Sequence, residues 1–166
     1  MVKRVQLKIQ NLKLKTAASR WTVGGLVRLG ARRLRAARLA HGHGTRDARD
    51  EAAYLTLHAL GLPLDATAGI LDRAVSSLAA RRVLNLFERR IRSGKPAAYL
   101  TREAWLGGFR FYVDERAIVP RSHIAGLLLD RLAPWITDAG RIRTALDLCT
   151  GSGCLAILLA HAFPRA

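Results

Sequence analysis

The 166-residue chain is short of cysteine, of acids and of long apolar runs, and each shortage excludes a class of protein. Its two cysteines, Cys149 and Cys154, lie five positions apart in one segment. That excludes a disulfide-built secreted scaffold and suits a reducing compartment. No apolar run approaches the roughly 18 residues of a membrane span, since the best one, starting at Val23, is broken by Arg28. Lys3 and Arg4 lead into an alternating, charged stretch, so the start does not read as a signal peptide. A cytoplasmic chain with no membrane contact is expected. Only 12 acids face 28 Lys and Arg, a net charge of +16, yet 50% of residues are hydrophobic, which excludes a disordered basic tail. The length allows one domain, or a small domain plus part of a second.

The charge is unevenly placed. Residues 1–46 hold four Lys, eight Arg and no acid, so +12 of the +16 lies there. Four of the five lysines fall at Lys3, Lys8, Lys13 and Lys15, in a stretch where Val5, Leu7, Ile9, Leu12 and Leu14 roughly alternate with polar residues. Residues 1–20 therefore read as a basic leader, expected to be disordered. Its charge makes nonspecific RNA contact through residues 1–46 the competing function, a basic RNA- or ribosome-binding module. Against that, the ten aromatics do not interleave with the arginines to form a stacking platform.

Beyond the leader the apolar spacing is helical. Val23, Leu26, Val27, Leu34 and Ala37 predict an amphipathic helix from Val23 to Ala40, with Gly42 as its stop. Asp47, Asp50 and Glu51 mark the first turn of a second helix that runs to about Leu60 and ends at Gly61 and Pro63. A short helical piece is expected at Leu64 to Leu71, and a third helix from Leu78 to Ile91. His41 and His43 lack a Cys or carboxylate cluster, so no metal site is expected, and His58 and His161 read as structural or solvated. From Tyr99 the pattern changes to that of a hairpin around Gly107-Gly108, with Trp105, Phe109, Phe111 and Val113 on its strands and Ala117 to Val119 as a last short strand. After Pro120, Ser122 caps a helix expected through Leu132, and Thr144 to Leu148 reads as a short buried strand.

That strand leads into Asp147-Leu148-Cys149-Thr150-Gly151-Ser152-Gly153-Cys154, a glycine turn opening an apolar helix. Glycine lets a ligand approach the backbone closely, and the free N–H groups at a helix start face polar ligand atoms. With Ala156 the turn also fits the G-x-G-x-x-A of dinucleotide-dependent oxidoreductases, which place it near the start of their domain.

Asp147 with Thr150 distinguishes the two. The run resembles the first motif of class I S-adenosylmethionine-dependent methyltransferases, especially the protein-(glutamine side-chain amide) methyltransferases. Arg116-Ala117-Ile118-Val119-Pro120-Arg121-Ser122 is similar to that family's VLVPRS signature, and Phe111 to Arg116 to its FYVDER run. Gly42 to Thr45 with Asp50-Glu51-Ala52, Leu62 to Asp65, and Pro96 to Thr101 with Ala104-Trp105 resemble one branch, the ribosomal protein glutamine methyltransferases. The likeness extends in register over about residues 22–166. Two positions depart: His123 stands where the branch has proline, and Leu106 where an aromatic begins its F-x-G-x-x-F pattern.

The resemblance implies an α+β chain: a helical substrate-recognition domain (21–96), a β-hairpin linker (97–119) and the start of a Rossmann-like methyltransferase domain (120–166). It implies S-adenosylmethionine as cofactor, a large-subunit ribosomal protein as substrate, and a cofactor turn made of Asp147, Thr150, Gly151, Ser152, Gly153 and Cys154. Phe111, Pro120 and Arg121 are candidates for the rim of the pocket, Arg121 equally for an ion pair between domains. The family's N-P-P-Y motif, whose asparagine orients the substrate amide, does not occur in these 166 residues, so no catalytic residue is assigned. The expectation is a C-terminally truncated enzyme, inactive alone. The apolar helix after the glycine turn is expected to find no sheet to cover, and the segment after Pro120 to be loosely packed.

Overall fold

The computed structural model describes residues 21–42, 44–65 and 68–166. The leader and His43 lie outside them. The chain mixes helices with two small antiparallel sheets. Strand β1 (Trp21–Thr22) pairs with β2 (Ala74–Val75), Trp21 opposite Val75. Between and after them run α1 (Val23–Ala36), α2 (Ala48–Leu60) and α3 (Ser77–Ser93).

Each helix starts where a side chain accepts an otherwise unpaired amide. Thr22 Oγ1 accepts from Gly25 N at 3.1 Å, and Asp47 Oδ1 from Arg49 N and Asp50 N at 2.7 and 2.9 Å. Ser76 Oγ accepts from Ala79 N at 3.3 Å. The two amides of Asp50 and Arg49 hold the Asp47 carboxyl below the usual carboxylate range. Helix α2 ends on Gly61 at φ 64°, with Gly61 N–H donating to His58 and Leu62 N–H to Leu57, a Schellman closure.

The three helices enclose a core of Val23, Leu26, Leu34, Leu55, Val83 and Phe87, all inaccessible to solvent. Gly30 lets α1 approach α3: an added Cβ would stand 2.3 Å from Phe87 Cζ. Inside this core lies an ion pair. Arg90, 2% exposed, donates from Nε to Glu51 Oε1 at 2.9 Å, from Nη1 to Gly94 O and from Nη2 to Ala40 O. His41 Nδ1 stands 2.9 Å from Glu51 Oε2, and among the described residues neither atom has another partner. One buried arginine thus ties α3 to α2 and to the segment leaving α1.

Helix α4 (Ala97–Thr101), β3 (Glu103–Leu106) and β4 (Phe109–Tyr112) follow. The hairpin pairs Leu106 with Phe109 across Gly107 and Gly108, both at positive φ (58° and 80°), as a two-residue turn matched to strand twist requires. Tyr54 on α2 anchors it: its hydroxyl stands 2.8 Å from Thr101 Oγ1 and donates to Glu103 O at 3.2 Å. Burial pushes the Tyr54 phenol up. Helix α5 (Ile124–Leu129) and α6 (Cys154–Ala162) close the chain.

Several expectations are corrected. Helix α1 ends at Ala36, where Arg38 turns left-handed (φ 50°), so Gly42 is not its stop. The piece predicted at Leu64 to Leu71 is a 3-10 turn at Ala68–Asp72. Ala117 to Val119 is not a strand, because Val119 is buried with Ala98, Ala104 and Val113 through its side chain without a backbone ladder. Helix α5 stops at Leu129, short of Leu132, which has φ 59°. Ser122 accepts from Ile124 N at 3.1 Å, but the cap position itself is His123.

The largest correction is at Thr144 to Leu148, which forms no strand, with Leu146 78% and Leu148 77% exposed. A parallel strand satisfies its N–H and C=O groups only beside other strands, and among the described residues none lies there. The face of α6 does find cover. Leu158, Ala162 and Phe163 are buried with Ala125 and Leu128 of α5, and Leu106 and Phe109 of the hairpin pack against them. Gly107 makes room, since an added Cβ would lie 3.0 Å from Leu158 Cδ2.

Candidate functional site

The glycine turn sits where the exposed segment meets α6. Cys149, Gly151 and Gly153 all have positive φ (59°, 56° and 76°), a sharply curled path that glycine adopts freely and cysteine rarely. Thr150 Oγ1 donates to Asp147 Oδ2 at 2.7 Å, and Gly153 N–H donates to Thr150 O at 2.9 Å, so two bonds fix the curl. Nothing lies within 4 Å of an added Cβ on Gly151. The space above this glycine is open.

Helix α6 begins at Cys154 with Gly153 as its cap and no side chain accepting its first amides. Those N–H groups carry the positive end of the helix dipole and face outward for an acceptor. Cys154 is buried, its Sγ 3.2 Å from Ser152 Oγ, while Cys149 is exposed and both thiols are free. The curl can therefore hold a polar or anionic group against backbone amides, with Asp147 oriented by Thr150. These are the features that a nucleoside ligand would use.

Among the described residues no hydrogen bond joins Phe111, Pro120 or Arg121 to the curl. Phe111 is half-buried on β4 opposite Ala104. Pro120, with Tyr54, Ala98, Glu103, Trp105 and Val119, lines a separate cavity of about 200 Å³ between the helices and the hairpin. Arg121 is exposed, and among the described residues no hydrogen bond or ion pair holds it. His58, read from sequence as structural, has Nδ1 3.4 Å from Glu103 Oε2, and the His161 ring lies 4.4 Å from that of Phe109.

The 200 Å³ cavity is the feature that sequence reasoning missed. Its walls come from α2, α4, β3, the Val119-Pro120 segment and the loops holding Gly44, Thr45 and Leu64, and no local pattern announces a space made by so many separate segments. The available signal was the pair of amphipathic aromatics Tyr54 and Trp105.

Known proteins are similar to this sequence. No family model matches the chain. Among curated proteins, the ribosomal protein uL3 glutamine methyltransferase of Bordetella pertussis is 56% identical over 145 residues, 87% of this chain and 49% of that protein. Those of Burkholderia pseudomallei and Neisseria meningitidis serogroup A are 54% and 52% identical over the same length. Relatives at 52–56% identity over 87% of this chain thus carry one name, ribosomal protein uL3 glutamine methyltransferase. The chain spans about half the length of the curated relatives it matches. Relatives so named imply a methyl donor. Among the described residues, no helix is long and apolar enough to cross a membrane.

Proposed function

We propose that this chain is the recognition and donor-turn portion of a cytoplasmic enzyme that methylates a glutamine side-chain amide of ribosomal protein uL3. The observation that carries this is the 56% identity to a protein of that name over 145 residues, 87% of this chain. In this reading residues 21–96 recognise substrate, 97–119 link, and 120–166 begin the methyltransferase domain.

The proposed donor is S-adenosylmethionine, which when bound supplies an electrophilic methyl on a sulfonium. Asp147, Thr150, Gly151, Ser152, Gly153 and Cys154 are proposed to hold it. The fit rests on the open space over Gly151 and the uncapped start of α6. Phe111, Pro120 and Arg121 remain proposed only as a more distant rim. An amide nitrogen is a weak nucleophile because its lone pair is delocalised into the carbonyl, so placement of the side chain supplies most of the acceleration. Within these residues the two bonds at the curl keep Asp147 and the amide array in one geometry, limiting the reorganisation that binding demands. No Asn-Pro-Pro-Tyr run is present to orient the amide, and the chain alone is expected to be inactive.

Transfer of labelled methyl from S-adenosylmethionine to purified uL3 tests both parts. The chain alone gives no label above a no-enzyme control, and turnover there refutes its inactivity. A chimera joining this chain to the remaining half of the Bordetella pertussis relative labels a glutamine of uL3. A chimera that folds, binds the donor and labels nothing refutes the function.

A further inference from the structure

A second concave surface lies on the opposite chemistry from the glycine curl: it is built from guanidinium groups. Arg28, Arg32 and Arg35 of α1 and Arg49 of α2 line an open groove of about 480 Å³, with Ala31 and Leu71 in its apolar floor. All four arginines are exposed and no carboxylate lines the groove. Among the described residues none of the four guanidinium groups has an ion-pair partner. Of the acids on the helices, Asp50 is paired with Arg46, Glu51 with Arg90 and Glu88 with Arg33, while Asp47 accepts from amides of α2 and feels Arg35 only through space. Four like charges with no carboxylate in ion-pair contact repel one another, and a bound anion would relieve that repulsion.

We propose that this groove binds RNA through its phosphodiester backbone. Arg28, Arg32 and Arg35 climb α1 in steps of about 6 and 4.5 Å, a ladder of cations along one edge with Arg49 facing them from α2. A guanidinium presents paired donors that match two phosphate oxygens. An acidic peptide is the less suitable occupant, because helices offer its main chain no open strand edge to pair with. In sequence, the groove's arginines on α1 belong to a stretch, residues 1–46, with twelve basic residues and no acid. No aromatic lines the groove, so binding follows the backbone and shows no base preference. This site is independent of methyl transfer.

The test uses the full chain, a labelled oligouridylate and fluorescence anisotropy at two salt concentrations. Two triple variants remove the same charge: Arg28→Glu, Arg32→Glu, Arg35→Glu in the groove, and Arg81→Glu, Arg82→Glu, Arg89→Glu on the exposed side of α3. Circular dichroism confirms that both fold. The groove variant is expected to lose roughly tenfold or more in affinity and to flatten the log–log salt slope by about two, as three lost single-strand phosphate contacts require. The α3 variant should lose much less. Equal losses would reduce the effect to net charge and overturn the site. So would absence of RNA binding by the parent chain, loss only on deleting residues 1–20, or polyglutamate competing as well as RNA.

Discussion

In the helical region Leu26, Leu34, Leu55 and Phe87 are shut away from water, whereas around the glycine turn Leu146 and Leu148 are more than three-quarters exposed. Both regions are apolar in sequence. The difference lies in where each obtains its partners. A helix pairs its backbone within its own segment and needs only one covered face. A parallel strand pairs nothing by itself. Helix α6 illustrates the contrast within one segment, since it forms and packs on α5 and the hairpin while the five residues Thr144 to Leu148 do not become a strand.

The comparison can be broken most sharply at Arg90. Arg90→Met leaves the Glu51 carboxylate buried without its cation, and a loss of about 3–5 kcal/mol is expected in urea unfolding followed by circular dichroism. A change below about 1 kcal/mol would mean that the ion pair does not hold the helical region together. Gly30→Ala comes next. Its new methyl must displace the Phe87 ring, for an expected cost of about 1–3 kcal/mol. Adding Phe87→Leu should recover part of that loss, and no recovery would place the strain elsewhere.

Smaller effects sharpen the same contrast. Thr22→Ala removes the cap of α1 and should cost about 1 kcal/mol, read from the same unfolding curves. Asp47 has a lowered carboxyl, so its contribution to α2 is complete above the ordinary carboxylate pKa and is lost only as pH falls through the depressed value. A chemical-shift titration that found Asp47 protonating with the free acid would contradict the cap. Smallest of all, Leu146→Asp with Leu148→Asp should leave stability within about 0.5 kcal/mol while reducing self-association in sedimentation velocity. A large loss of stability would show that these side chains are packed.

Much of the helical region was readable from local rules. Asp47 and Gly61 bracket α2 as predicted, and Gly107-Gly108 makes the hairpin turn. Helix α4 was not anticipated, because five residues following Pro96 carry no periodicity long enough to read. At the candidate site, the residues of the curl were recognisable by their glycines. Where Phe111 and Arg121 lie relative to it was not, since nothing local fixes the distance between a hairpin and a turn more than thirty residues on.

By itself the sequence determined the helix starts, the glycine curl and the likeness to its relatives, because caps, positive-φ positions and motif runs act over a few neighbouring residues. Only tertiary structure decided that Arg90 meets Glu51 inside the bundle, that Gly30 admits Phe87, that four arginines from two helices share one groove, and that the apolar run before the curl stays exposed. Those outcomes depend on groups far apart in the chain arriving together, and the free energy of burial exists only once they have met.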